Sequence, residues 1–138
     1  MDEAQYREAE ERLWRSAGIR PDEKMIALES TGTRVRVQSE GHGPPVLFIH
    51  GGPNSGSTWA PIAGAFDGFH CIFVDRPGTG LSEPYRKIPT AEEFNDLSDR
   101  FVGDVLDGLG LEHAHVVASS LGGFMALRPF RFARRIVT

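Results

Sequence analysis

Ala118-Ser119-Ser120-Leu121-Gly122-Gly123 is the stretch whose reading decides the fold. It follows the short apolar run His115-Val116-Val117 and opens a segment with helical character. A strand that hands over to a helix through small-x-Ser-x-Gly has a physical need for small residues. The turn holds the serine in a strained backbone conformation, and bulky side chains two positions either side would clash. Ala118 and Gly122 supply those small neighbours, and Gly123 is expected to let the helix pack close to the strand. Such a turn lifts one hydroxyl out of the sheet with the next backbone N–H beside it. Ser120 is therefore the candidate nucleophile, and the Leu121 N–H a candidate oxyanion donor.

Working outward, Val46-Leu47-Phe48-Ile49 is apolar at every position, the mark of a strand buried on both faces in a parallel sheet. Cys71 to Val74 reads as a second such strand and Val116-Val117 as a third. Lys24 to Leu28 and Thr33 to Gln38 read as two strands joined around Gly32. In the second, Val35 and Val37 alternate with Arg34, Arg36 and Gln38, as in a strand with one wet face. Trp59, Ile62 and Phe66 predict a helix with Thr58 as N-cap, Pro61 in the first turn and Gly68 at the end. Thr90-Ala91-Glu92-Glu93 is a capping-box pattern. After it Phe94, Leu97, Phe101, Val105 and Leu109 share a helical face that Gly110 stops. Strands alternating with helices predict an α/β domain, a three-layer α/β/α arrangement around a mainly parallel sheet, over residues 24–138.

Residues 1–23 read as an N-terminal helical extension. Asp2 to Ala17 carries a weak apolar stripe of Tyr6, Ala9, Leu13 and Ala17. It also carries the acid-before-base pairs Glu3–Arg7, Glu8–Arg12 and Glu11–Arg15, which suit a peripheral, exposed helix. The chain has 138 residues, a one-domain length, with a net charge of −4 that gives no basic face for nucleic acid. Arg128, Arg131, Arg134 and Arg135 read as a solvated helix end. A single cysteine excludes an internal disulfide. With an acidic N-terminus that lacks the apolar core of a signal peptide, it sets the expectation of a cytoplasmic protein. Cys71 itself is expected to be buried and inert. The apolar runs are too short to cross a membrane. No cluster of His, Cys, Asp and Glu has metal-ligand spacing, so neither metal nor cofactor is expected.

Ligands of such sheets bind beyond the carboxyl ends of the strands. Three loops sit there: His50-Gly51-Gly52-Pro53-Asn54-Ser55-Gly56, Asp75-Arg76-Pro77-Gly78-Thr79-Gly80-Leu81-Ser82, and the serine turn. In that order, on the third, fourth and fifth strands, they resemble the α/β-hydrolase family, from about Val35 to Gly123. The resemblance implies hydrolysis by a Ser–His–acid triad, by default of a carboxylic ester through an acyl-enzyme. Ser120 matches the nucleophile. The N–H groups of Gly52 and Leu121 match the oxyanion donors. His50, with Gly51, matches the motif that orders the oxyanion loop rather than the triad base. Serine at this position also separates the chain from relatives that carry aspartate there, the dehalogenases and epoxide hydrolases.

The family order is serine, then acid, then histidine. All five histidines here, His42, His50, His70, His113 and His115, precede Ser120. The chain thus reads as an incomplete α/β-hydrolase core, the N-terminal half, without triad acid or histidine. Pro129 interrupts the stretch after the serine helix, and Arg135 to Thr138 is expected to begin a sixth strand. A serine without a base is a poor nucleophile, so the alternative is a catalytically inactive remnant or an association half-domain. An open sheet edge beside the serine strand would invite self-association. Asp75 is expected to anchor its loop by hydrogen bonds. Gly51 to Thr58 also spells most of a phosphate loop, but Ser57 stands where its lysine is needed.

Overall fold

The structure is a computed structural model that describes residues 1–128 and 134–137. Its elements follow the chain as α1 (Glu3–Ser16), β1 (Asp22–Ala27), β2 (Arg34–Glu40) and β3 (Pro45–Ile49). A 3₁₀ turn (Gly56–Trp59), α2 (Ala60–Ala63), β4 (His70–Val74) and α3 (Ala91–Leu109) come next. The last are β5 (Ala114–Ala118), α4 (Leu121–Leu127) and β6 (Ile136–Val137). The strands form one sheet in the order β1-β2-β4-β3-β5-β6. β3, β4, β5 and β6 run parallel, and β2 and β1 add an antiparallel flank.

The two apolar strands are buried on both faces, as their unbroken hydrophobicity requires. Leu47, Ile49, Ile72 and Val74 point to one side, where Phe101, Val102, Val105 and Leu106 of α3 and Met125 of α4 cover them. Val46, Phe48, Cys71 and Phe73 point to the other, under Trp14 of α1 and Ala60 and Ala63 of α2. Phe48 is the hub of that second face, with ring centroids 4.9 Å from both Phe66 and Phe73. Alternation along a strand thus produces the three layers. The capping box at Thr90 and Glu93 forms as its spacing predicts, and Gly110 ends α3 in the left-handed conformation.

Several expectations need correction. The face of β2 that reads as wet is covered: Arg36 is 1% and Gln38 6% exposed. What covers it is α1, which turns inward through Glu10 and Trp14 while Leu13 of the supposed apolar stripe stays on the surface. The predicted helix from Thr58 to Gly68 shrinks to a 3₁₀ turn plus the single helical turn of α2. Thr58 does not cap it, and Ile62 is exposed. There Gly64 already stands at the C-cap, and the Gly56 N–H is drawn to the Asp75 side chain, which tightens the entry.

A second glycine, not Gly123, lets α4 approach the sheet. A Cβ on Gly122 would stand 2.3 Å from the carbonyl oxygen of Ile49 and 2.6 Å from that of His50, whereas one on Gly123 meets nothing within 4 Å. Strand β6 pairs with Ala114 and His115, so the expected sixth strand forms at Ile136–Val137; Thr138, Pro129 and Arg131 lie outside the described residues. Among the described residues, Val116 to Ala118 have no partner strand on that side, and Leu127 is 84% exposed nearby. Arg128 and Arg135 are not solvated helix cations. They pair with Asp99 and Asp107, each at 2.7 Å.

A buried charge under α1 is held by carboxylates from α1 and from the residue after β4. Arg36 donates from both terminal nitrogens to Glu10 at 2.7 Å, and its Nε donates to Asp75 at 2.7 Å. Removing one partner leaves a desolvated charge. Glu10→Ala is therefore expected to cost about 3–5 kcal/mol in urea unfolding. Glu8→Ala, which breaks the exposed Glu8–Arg12 pair, should cost at most about 0.5 kcal/mol. Equal effects would remove the role given to Arg36.

The helix packing makes a second contrast. Gly122→Ala should lose roughly 1–3 kcal/mol through overpacking against backbone that cannot yield. Gly123→Ala should be neutral or stabilising by up to about 1 kcal/mol, the helix-propensity difference. Thermal denaturation of the two variants measures both.

Candidate active site

Parallel strands deliver the loops after β3, β4 and β5 to one rim of the sheet, and each loop is shaped by a different local requirement. After β5 the chain turns within two residues. Ser120 sits at φ 50° and ψ −119°, the one non-glycine residue with positive φ among those described. That backbone is costly for a residue with a Cβ and persists only where surrounding contacts impose it. Here the Ser119 N–H donates to the Ile49 carbonyl at 3.1 Å. The Ser119 and Ser120 carbonyls then accept from the first amides of α4, Gly122 at 2.9 Å and Phe124 at 3.0 Å. The serine side chain is left exposed at the rim.

The loop after β3 comes up against it. A Cβ on Gly51 would stand 3.0 Å from the Ser120 Cβ, 3.2 Å from the Ser119 carbonyl and 3.7 Å from the Ser120 hydroxyl. Any side chain there would force its neighbours, the Ser119 carbonyl among them, to give way. One residue on, a Cβ on Gly52 would stand 4.0 Å from a Leu121 methyl group and 3.4 Å from a terminal nitrogen of Arg76. Ser120, Gly51, Gly52 and Leu121, read separately from the sequence, are thus neighbours in space.

His50 is fully buried and holds the first two loops together. The Arg76 backbone N–H donates to its Nε2 at 3.2 Å, which makes that nitrogen the acceptor. Its Nδ1 then carries the proton and donates to the Gly51 carbonyl at 2.6 Å. Burial pushes the imidazole pKa down, which favours this neutral form. With both nitrogens committed, His50 has none to offer Ser120. Asp75 is equally committed. Its carboxylate accepts from the Gly56 N–H at 2.6 Å, the Leu81 N–H at 3.0 Å and Arg36. Gly80 passes so close, with positive φ, that a Cβ there would fall 2.0 Å from the carboxylate. Asp75 anchors its loop, as expected. The Gly56 amide that a phosphate loop would use is occupied by it.

The other histidines lie at the far end of the strands. His115 pairs with Val46 and stands five residues before Ser120, roughly 16 Å down an extended strand. His70 pairs with Pro45 at the start of β4, and His42 and His113 lie just before β3 and β5. None of the five is placed to take a proton from Ser120. Cys71 is buried, and its thiol pKa is pushed up by that burial, so it offers no alternative nucleophile.

Two arginines escaped the sequence reading. Arg36 read as a position on a wet strand face and Arg76 as part of a loop, yet both are buried. For Arg36 the signal was available: Asp75 ends a wholly apolar strand and needs a cation. For Arg76 no pattern in the chain announces burial.

Comparison with known proteins places this geometry. A family model described as alpha/beta hydrolase fold matches residues 44–130, more than half of the chain. A 2-hydroxy-6-oxononadienedioate/2-hydroxy-6-oxononatrienedioate hydrolase of Paraburkholderia phymatum is 37% identical over 112 residues, covering 75% of this chain and 38% of that protein. Haloalkane dehalogenase 2 of Mycobacterium tuberculosis is 31% identical over 115 residues, covering 78% and 39%. Naproxen esterase of Bacillus subtilis superposes with a TM-score of 0.80 at 25% identity, over 97% of this chain and 46% of that one. The chain therefore spans less than half the length of the relatives it matches. Among the described residues no helix is long and apolar enough to cross a membrane. The matched stretch holds the three rim loops on their parallel strands, and this chain belongs to the α/β-hydrolase fold family.

Proposed function

We propose that the chain carries the nucleophile half of a serine hydrolase site acting on a small carboxylic ester. The observation that carries this reading is the strained, exposed Ser120 facing the Gly51–Gly52 backbone. In the proposed reaction the Ser120 oxygen adds to the ester carbonyl while a base takes the hydroxyl proton. The carbonyl oxygen gains negative charge, and the N–H groups of Gly52 and Leu121 are the donors assigned to it. The alcohol leaves with a proton, and water releases the acid from the acyl-serine. The base and the acid that orients it are assigned to protein outside these residues. His50 and Asp75 are spent on structure, and the other histidines lie at the wrong end of the sheet.

A second reading is an association half-domain without chemistry. It is supported by the edge of Val116–Ala118 away from β3, which has no partner strand among the described residues, and by the exposed Leu127.

Chemical rescue separates the two readings. With p-nitrophenyl acetate and imidazole as an external base, intact-mass analysis is expected to find one acetyl group on Ser120. Ser120→Ala should abolish the adduct. Without imidazole, steady turnover should not exceed that of the same variant, because a triad without its base retains at most roughly 10³–10⁴ over water. Equal adduct in the alanine variant would remove Ser120 as nucleophile. Sustained turnover by the unaided chain would overturn the assignment of the base elsewhere.

A further inference from the structure

Among the described residues, the two buried arginines are treated in opposite ways. Arg36 is surrounded by carboxylates, with Glu10 on both terminal nitrogens, Asp75 on Nε and Glu23 at 3.3 Å. Arg76 is 7% exposed and has no carboxylate within ion-pair distance among the described residues. Its Nε donates to the His50 carbonyl at 3.0 Å, which fixes the guanidinium beside the loop after β3. The hydrogen bonds described give its two terminal nitrogens no acceptor, and one of them stands 3.4 Å from where a Cβ on Gly52 would be. Asp75, its neighbour in the chain, is turned away onto Arg36.

The Arg76 terminal nitrogens are not among the buried polar atoms left without a partner, so a guanidinium fixed through its Nε, with no carboxylate beside it, keeps donors that an incoming anion can reach. Burial pushes the Arg76 pKa down, opposed only by the phenol of Tyr85, yet a guanidinium remains charged at any working pH. The place is also specific. A Cβ on Gly51 would stand 3.7 Å from the Ser120 hydroxyl and one on the next residue, Gly52, 3.4 Å from an Arg76 terminal nitrogen, so adjacent residues of one loop neighbour both groups. A molecule whose carbonyl reaches Ser120 can lay a second group against the open end of the guanidinium. That end presents two parallel N–H donors, the fork that fits a carboxylate.

We propose that Arg76 is a specificity residue that takes a free carboxylate of the substrate, so that the site prefers a hemiester of a dicarboxylic acid over a neutral ester. The choice of an ester rests on the reading of Ser120 as nucleophile; the anion site does not. Binding requires no turnover, so it can be read on the chain as it stands. Monomethyl glutarate and dimethyl glutarate differ at one end by a charge and a methyl group. In a ¹H–¹⁵N titration the hemiester is expected to shift the amides of Gly52 and Leu121 and the Arg76 Nε–H saturably. The diester should bind about tenfold more weakly, the loss expected for a charge-assisted hydrogen bond. Arg76→Gln should bring the hemiester down to the diester's level, and raised salt should weaken the hemiester alone.

Equal binding of the two esters by the unmodified chain overturns the proposal, whether or not the glutamine variant folds. So does unchanged hemiester binding by a folded Arg76→Gln. Hemiester binding that depends on Arg76, in a chain whose Ser120 never accepts an acetyl group, upholds the anion site and sinks the hydrolase reading. Acetylation of Ser120 without preference for the hemiester does the reverse.

Discussion

Arg36 carries a full charge into the interface between the sheet and its first helix, and much of the rim geometry hangs on how that charge is neutralised. Glu10 meets it from α1 and Asp75 from the end of β4. Asp75 then spends its remaining capacity on the amides of Gly56 and Leu81, from the loops after β3 and β4. One guanidinium thus ties the N-terminal helix, the antiparallel flank and two loops into a single unit. A buried ion pair of this kind is weak evidence for net stability, since desolvation offsets most of the attraction. What it supplies here is position. The carboxylate cannot move without stranding the charge, and the loops that donate to it cannot move without losing a buried acceptor.

His50 performs the neutral version of the same task. Its ring accepts from the loop after β4 and donates within the loop after β3. Together Asp75 and His50 hold Gly51 and Gly52 against the serine turn, where the absence of side chains lets backbone meet backbone. Both are residue types that catalysis uses, and both are consumed by structure. The site is therefore rigid on the side of the proposed nucleophile and oxyanion donors, and it is without a proton acceptor of its own among these residues.

Chemistry at this rim is divided between what the loops hold fixed and what has to be brought to them. In the proposed reaction the strained serine and the N–H groups of Gly52 and Leu121 are the preorganised part, the one that depends on distances. Proton transfer needs a base within hydrogen-bond reach of the serine hydroxyl, and the strands put four of the five histidines at the other end of the sheet.

The sheet strands, the capped helix over Ala91–Leu109 and the serine turn were legible in the chain because each rests on a local rule: unbroken apolar runs, a capping box, small residues two either side of a serine. The neighbourhood of Ser120, Gly51 and Gly52 was legible only through the order of the motifs along a parallel sheet. Arg36 and Gln38 were misread, since alternation along a strand says that one face differs from the other and not whether that face meets water or a helix. Leu13 was misread for a related reason. A weak stripe on a charged helix leaves its rotation open, and the pull of Glu10 toward Arg36 decided it. The sequence by itself determined the periodicities and the turn, which depend on neighbours within a few residues. Only the tertiary structure decided which charges are buried and which find partners, because desolvation and pairing depend on what packs across tens of residues of chain.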